Sequence, residues 1–310
     1  RQLLRDKDTP QESRYALILQ ATRQLKDENT DQIMAIFDDA LSVPQEDAGI
    51  YLVKAMLMAR HDFPRDEVNA VYRQALAVEP DNEMAQGLLV QNLAEEERFD
   101  EIVDLCKTSL QYTPDNQQLC YFEGFSLFQL KRNDEALASL QKTVELRDEE
   151  SDSGMMADCY SLMGEIYREK GMDKACYEAY DSCLHYAPDN VGALNNYAYY
   201  LSLDSAADLQ KAEQMSLKAV QKEPDNATFL DTYAWILFKE KRYDDAKTIA
   251  ERAIASDSTL SSVVVEHCGD IFYMAGDTDR AMEMWQKAAQ EDENNAILRR
   301  KIELKKYIEE

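Results

Sequence analysis

The chain has 310 residues, of which 45% are hydrophobic and 30% are charged. This hydrophobic content is too high for a disordered chain. The charge content is too high for a membrane protein, because a membrane-spanning helix needs about 18 uninterrupted apolar residues. The net charge of −26 repels phosphate backbones and anionic membrane surfaces, so we expect neither a nucleic-acid partner nor direct membrane insertion. Glycine and proline are scarce, which argues against an all-β protein.

The first part of the sequence carries weaker signals than the rest. The chain begins with arginine rather than methionine, so we expect a fragment or a processed form. Residues 1–10 show no pattern of a capping helix. Residues 14–48 predict a degenerate pair of helices, because the second of them carries an apolar stripe formed by Ile33, Phe37 and Ala40.

A tripeptide repeat dominates the remaining sequence. Pro-Asp-Asn begins at Pro80, Pro114, Pro188 and Pro224, and the three spacings are 34, 74 and 36 residues. Glu293 stands where a further proline would fall. A period of this length indicates a row of stacked supersecondary units.

The unit at residues 157–190 shows the pattern most clearly. Its first helix carries the i, i+3, i+4, i+7 stripe of an amphipathic helix, formed by Tyr160, Met163, Gly164 and Tyr167. Gly171 is expected to break this helix. A second helix carries Cys176, Tyr180 and Cys183 and is ended by Pro188, after which Asn190 can cap the next helix.

This pattern resembles the tetratricopeptide repeat (TPR), whose motif has large residues at positions 4, 7, 11 and 24, small residues at positions 8, 20 and 27, and proline at position 32. Small residues at position 8 let two helices approach closely, and five successive units have Gly124, Gly164, Ala198, Ala234 and Gly269 there. In the first third of the chain, Met56 and Val90 replace them. The resemblance implies an all-α fold, a right-handed TPR superhelix (α-solenoid) of helix-turn-helix repeats with a C-terminal capping helix.

We predict a single TPR solenoid over residues 1–310. Extra residues are expected at 151–156 and in the inter-helix turn near Ser205. A capping helix is predicted at 296–310, where one side is apolar and Lys305 and Lys306 complement the helix dipole. The units between are the degenerate repeat at 14–48 and TPR units at 49–82, 83–116, 117–150, 157–190, 191–226, 227–261 and 262–295.

Catalytic and metal-binding motifs are absent from the sequence. There is no G-x-G pair, no G-x-S-x-G and no H-E-x-x-H, and the three histidines lie in separate units. The six cysteines fall mostly at core positions and none forms C-x-x-C, so we interpret them as core residues. Cys183-x-His185 is a weak metal motif, and His267 beside Cys268 is given a structural role. We therefore predict neither an enzyme nor a bound cofactor or metal.

In a TPR superhelix the first helix of each unit lines the concave face with positions 2, 5, 9, 12 and 13. Carried over to this sequence, positions 5 and 9 contain no Lys or Arg in the seven units, and only Asn195 matches the chaperone-type clamp for a terminal carboxylate. That clamp is excluded. The predicted partner-binding residues are instead aromatic or acidic: Tyr121, Phe125, Phe128, Glu165, Tyr199, Asp231, Trp235, Phe238, Glu266, Asp270 and Tyr273.

The resemblance implies a non-enzymatic protein–protein interaction scaffold. Our hypothesis is an aromatic, acidic concave groove that binds a protein or peptide with apolar and basic residues. In one alternative, the rings pack against the first helix of the neighbouring unit. In another, the chain is an architectural or self-associating solenoid, a homo-oligomer, with its groove filled by a sister molecule or its own terminus. In a third, it is the regulatory part of a larger protein with an upstream domain.

Three stretches of the sequence resemble the C-terminal units of large bacterial envelope TPR proteins. They lie at residues 193–202, 230–246 and 264–277. This resemblance implies a periplasmic or cell-envelope location. Six cysteines would be a mild liability in an oxidising compartment, so the cytoplasm remains the alternative.

Overall fold

The computed structural model describes residues 1–24, 30–204, 208–257, 259–292 and 294–309. Within these ranges the structure contains seventeen α-helices and no strand. The sequence expectations at Ser205 and Glu293 lie outside the described residues. The chain divides into two compact units, Arg1–Met155 and Met156–Glu310.

The helices come in antiparallel pairs separated by short turns. The first unit contains α1 (Gln11–Gln24), α2 (Thr30–Leu41), α3 (Gly49–Arg60), α4 (Arg65–Val78), α5 (Glu83–Glu95), α6 (Phe99–Ser109), α7 (Gln117–Gln129) and α8 (Asn133–Glu145). From Met156 onward, the second contains α9 (Ser153–Glu169), α10 (Asp173–Tyr186), α11 (Val191–Leu203), α12 (Leu209–Lys222), α13 (Ala227–Lys239), α14 (Tyr243–Ser256), α15 (Ser262–Met274), α16 (Thr278–Glu291) and α17 (Ala296–Leu304). Most of the extra residues at 151–156 therefore lengthen α9.

Four of the repeated asparagines cap the first helix of a pair, and Asn295 caps α17. In each case the side-chain oxygen accepts a hydrogen bond, 2.9–3.3 Å long, from the backbone N–H three residues later. This bond satisfies one of the N–H groups that a helix start leaves without a partner. The N-cap expected at Asn190 is confirmed, and the same cap occurs at Asn82, Asn116, Asn226 and Asn295.

A left-handed residue ends the first helix in six of the pairs. Gly171 has φ 68° and Gly276 has φ 85°, and non-glycine residues with φ between 54° and 65° take the same place elsewhere. The following N–H donates to a carbonyl five residues earlier, as Met172 does to Tyr167 at 2.9 Å. This Schellman-type closure supplies N–H donors to carbonyls of the last helical turn that have no partner within the helix. The break expected at Gly171 is confirmed.

Small residues at position 8 lie where two paired helices approach most closely. A Cβ on Gly124 would be 2.8 Å from Cγ of Leu140, so these two helices leave no room for a larger residue. In α3 the residue at this crossing is not the one that the sequence predicted for position 8. Ala55 is fully buried whereas Met56 is half exposed, so the predicted position 8 there is one residue too late.

Residues 1–10 cover the first helix pair, contrary to the sequence expectation. Leu4 is buried in a cluster with Ile18, Ile33 and Phe37. Arg1 and Arg5 both bond the carboxylate of Asp39, which lies in α2. The arginines hold the pKa of the Asp39 carboxyl down to about 2, so this ion pair persists across the neutral range. We did not predict this packing from the sequence, because residues 1–10 contain no helical pattern.

The capping helix is shorter than the predicted 296–310. α17 ends at Leu304, and Lys305 adopts a left-handed conformation with φ 51°. The N–H of Lys306 donates to the carbonyl of Lys301 at 3.1 Å, which closes the helix. Residues 306–309 are not helical. The contacts of Tyr307 described below show where this segment goes.

Candidate functional site

The first helices of successive pairs lie side by side in the second unit. α11 contacts α13, and α13 contacts α15. A cavity of about 330 Å³ opens along these helices. We call it the α13 pocket, and its lining includes Tyr199, Leu203, Trp235, Val263, His267 and Ile308.

A stack of three rings forms one wall of the α13 pocket. The indole of Trp235 is parallel to the imidazole of His267, with centroids 4.0 Å apart and planes inclined by 18°. On its own helix, Trp235 also stacks on Phe238 at 4.8 Å, because residues three apart share a helix face. Only 8% of Trp235 is exposed. The indole is therefore held rigidly in place.

His267 is fixed by a carboxylate behind the stack. Its Nδ1 lies 3.0 and 3.2 Å from the two carboxylate oxygens of Asp231. Burial lowers the pKa of His267, but the charge and hydrogen bond of Asp231, with further help from Asp270 and Glu266, outweigh burial and raise it. A protonated imidazole against the indole face adds a cation–π attraction to the stack.

A second cluster of charged side chains joins α17 to α15. The ammonium of Lys301 is 2.7 Å from Oε1 of Glu266 and 2.7 Å from Oδ2 of Asp270, and only 1% of Lys301 is exposed. Asn295 donates to Glu266 at 2.9 Å, and the indole N–H of Trp285 donates to Asp270 at 2.9 Å. Burial raises the pKa of Asp270 to about 6 against the opposing effects of Lys301 and Trp285.

The segment after α17 returns to the α13 pocket. The ring of Tyr307 meets Phe238 edge to face, with centroids 5.6 Å apart and planes at 76°. The ammonium of Lys301 lies 5.6 Å from the Tyr307 centroid, and Ile308 lines the cavity itself. Two side chains of the 305–309 segment thus touch the helices that form the predicted binding face.

Six of the predicted binding residues come together around the α13 pocket. They are Tyr199, Asp231, Trp235, Phe238, Glu266 and Asp270. The three carboxylates among them are buried and bonded to side chains of this chain, so they do not form an open acidic surface.

The other predicted residues of the second unit lie elsewhere. Tyr273 contacts Trp285 of the paired helix, with centroids 5.5 Å apart. Glu165 lies near Tyr180 and Tyr200, where its charge adds to burial in raising the pKa of both phenols.

The predicted aromatics of the first unit form a cluster on α7. Tyr121 and Phe125 have centroids 6.2 Å apart, and Phe99 of α6 meets Phe125 edge to face at 6.0 Å. Phe128 is buried, with Lys131 above its ring at 5.3 Å. Phe125 thus contacts α6, which is the second helix of the preceding pair and not a first helix.

Sequence reasoning missed His267 as a pocket residue, and it also missed Lys301, Tyr307 and Ile308. For His267 and Lys301, the position of each residue in the repeat is a signal that could have identified it. Asp231 and Glu266 both occupy position 5 of their units, while His267 and Lys301 each stand at position 6 of the following unit. An acid at position 5 thus meets a base 35 or 36 residues later.

The described residues offer little for metal or thiol chemistry. No group of three or more His, Cys, Asp or Glu side chains among them could hold a metal ion. All six cysteines are buried without a disulfide. Burial raises the pKa of Cys176 and of Cys183 to about 11, so these thiols resist ionisation. No helix in the described ranges is long and apolar enough to cross a membrane.

Comparison with known proteins identifies the fold through structure rather than sequence. Neither a family model nor a curated protein matches the chain. A tetratricopeptide repeat protein from Parabacteroides merdae has a TM-score of 0.54 and 13% identity, over 83% of this chain and 98% of that one. YrrB, described as a TPR protein with an unusual peptide-binding site, has a TM-score of 0.52 and 11% identity, over 60% and 92%.

A larger similar structure comes from the APC/C hetero-tetramer Cut9-Hcn1. Its TM-score is 0.54 at 12% identity, and the match covers 96% of this chain and 57% of that one. Identities of this size establish the arrangement of helices alone. Together with the paired helices and the small residues at their crossings, they show that the chain has the tetratricopeptide-repeat fold, an all-α solenoid.

Proposed function

We propose that the chain is a non-enzymatic scaffold that binds a protein or peptide segment in the α13 pocket. The observation that carries this proposal is an apolar rim around a buried, rigid indole. Leu203 is 42% exposed and Val263 is 53% exposed, and both line the same cavity as Trp235. Large apolar side chains grouped at a concave surface mark binding sites rather than ordinary surface.

The ring stack favours Trp235 as the anchor of the interaction. An indole clamped between Phe238 and His267 has little rotamer freedom left to lose, so binding costs less entropy than it would at a mobile side chain. Tryptophan surrounded by apolar contacts is also a common energetic centre of interfaces. Among the described residues, none accepts a hydrogen bond from Nε1 of Trp235.

The bound segment should carry an apolar anchor flanked by basic residues. The pocket carboxylates are bonded internally, and beside the apolar and aromatic side chains the lining includes Lys239, whose ammonium lies 5.2 Å from the Trp235 ring centroid. The chain as a whole has a net charge of −26, which attracts basic partners at long range and speeds their association. The peptide-binding site named for YrrB supports this use of a similarly folded chain.

Substitutions at the rim test the proposal with little risk to folding. A displayed library of random peptides is panned on the wild-type chain, and the selected peptides are measured against Leu203→Ser combined with Val263→Ser. We expect affinity to fall at least tenfold. The matched control is Met172→Ser combined with Leu217→Ser, since both residues are exposed and lie outside the pocket lining. Equal binding by the rim variant and the control would remove the α13 pocket as the binding site.

The proposal includes a location in the bacterial cell envelope. Its basis is the resemblance of three sequence stretches to envelope TPR proteins. The cysteines do not oppose it, because all six are buried and burial makes their thiols hard to ionise and oxidise. Fractionation of the native organism with an antibody against the chain tests this location, and recovery with cytoplasmic proteins would exclude it.

A further inference from the structure

We propose that the 305–309 segment acts as an internal ligand of the α13 pocket, and that partners with the same aromatic–aliphatic pair compete with it. This inference rests on the proposed function. It specifies what the pocket recognises and how access to it is regulated. The observation behind it is that Tyr307 and Ile308 already touch the helices that would receive a partner.

The segment reaches the pocket because the chain turns sharply after α17. The left-handed conformation of Lys305 ends the helix and redirects the chain. Tyr307 then contacts Phe238, one member of the ring stack, and Ile308 lines the cavity alongside Trp235. Lys305, Lys306 and Glu309 remain exposed. The segment therefore presents two adjacent apolar side chains to the pocket and leaves its charges in water.

α17 and the segment that follows it are held with different strength. Lys301 makes two buried ion pairs with α15, and Leu298 is fully buried, so α17 is a fixed part of the fold. The contacts of the segment include one edge-to-face ring contact, the approach of Lys301 to the same ring and the backbone hydrogen bond from Lys306 to Lys301, and Ile308 lines the cavity. Residues 307–309 can leave the pocket without breaking the ion pairs of α17 or the Lys306–Lys301 hydrogen bond that closes it, because residues 307–309 make none of these bonds.

A tethered segment occupies a pocket far more than its own weak contacts would suggest. A short flexible connection gives an effective concentration of about a millimolar. A partner in solution must overcome this competition, and its apparent affinity falls by the fraction of molecules in which the pocket is open.

The experiment measures a peptide in competition with the segment. The probe is a fluorescent, amide-capped peptide with the sequence of residues 304–309, Leu-Lys-Lys-Tyr-Ile-Glu. It is titrated by fluorescence anisotropy into the wild-type chain and into Tyr307→Ala combined with Ile308→Ala. We expect the variant to bind at least tenfold more tightly than the wild type. Met172→Ala combined with Leu217→Ala is the matched control, and it should bind like the wild type.

Further measurements distinguish failure of this inference from failure of the proposed function. A probe with alanine in place of tyrosine and isoleucine should lose its binding to the variant. Equal binding of the original probe by wild type and variant, or no binding to the variant up to a millimolar, would overturn the inference. Peptides selected on the wild-type chain report separately on the proposed function. If they bind wild type and variant equally, the pocket binds partners without competition from the segment.

Discussion

Gly164 of α9 lies against the phenol ring of Tyr180 of α10, so closely that a Cβ on the glycine would be 2.9 Å from Cε2 of that ring. The contact explains the small residue at position 8 of this unit, because any side chain there must push the paired helices apart. Tyr180 is fully buried and cannot turn away into solvent.

We therefore expect Gly164→Leu to destabilise the chain by about 1–3 kcal/mol through overpacking. Urea unfolding followed by circular dichroism measures this change. The matched control is Gly87→Ala, because a Cβ on this helical glycine would meet nothing within 4 Å. The control should be neutral or stabilising by up to about 1 kcal/mol, since alanine favours helix over glycine. An unchanged urea midpoint for Gly164→Leu would contradict this packing arrangement.

The second prediction concerns the buried lysine of α17. Lys301→Met leaves Glu266 and Asp270 buried without their cation, and breaking such a pair costs about 3–5 kcal/mol. Adding Glu266→Gln and Asp270→Asn to Lys301→Met should recover part of the loss, because the uncompensated charges are then gone. Urea denaturation of the three proteins gives the comparison, with Lys306→Met, an exposed site, as the control. Equal stability of the single and triple variants would show that the charges are not the cause.

The third prediction is a pH dependence. Folding raises the pKa of His267 above its ordinary value of 6.5, so the Asp231 pair stabilises the fold fully below pH 6.5, and this contribution is lost as pH rises through the folded pKa. The stability difference between wild type and His267→Gln should therefore be larger at pH 6 than at pH 9. Glu266, Asp270 and Lys301 also face this region, but they are present in both proteins.

Urea unfolding at the two pH values measures the difference. Burial raises the pKa of Asp270 to about 6, which lowers stability as pH rises in both proteins and so largely cancels in the comparison. The stability difference between wild type and Asp231→Asn should likewise be larger at pH 6 than at pH 9, since this substitution removes the other half of the pair. A difference that stays constant from pH 6 to pH 9 would mean that folding does not shift the pKa of His267.

The sequence predicted the helix pairs well because their causes are local. The apolar stripes, the asparagine caps and the break at Gly171 each depend on residues within one or two helical turns. The register failed at Met56, where Ala55 and Met56 are neighbours and an isolated sequence gives no reason to prefer either. The TPR fold itself followed from the period of the repeat, which survives at 13% identity or less where sequence comparison does not.

The candidate site was harder to predict because its contacts run between repeats. Trp235 and Phe238 could be placed on one helix face from their spacing. The bond from Asp231 to His267 joins residues 36 apart, and its existence depends on how two units stack. Of the four carboxylates predicted for an acidic groove, Asp231, Glu266 and Asp270 are buried and bonded within the chain by this stacking. The return of Tyr307 to Phe238 depends on one left-handed residue, which no periodic pattern indicates.

The final prediction measures the contact between Tyr307 and Phe238 directly. A double-mutant cycle with Phe238→Leu and Tyr307→Leu isolates their interaction from the other effects of each change. Edge-to-face pairs contribute about 0.5–1.5 kcal/mol beyond area burial, so we expect a coupling of this size in urea unfolding. A parallel cycle with Tyr243→Leu, which meets Phe238 at 5.6 Å from the next helix, gives a reference for a ring pair within the fold. Coupling near zero for Tyr307 and normal coupling for Tyr243 would show that the 305–309 segment does not rest on α13 in solution.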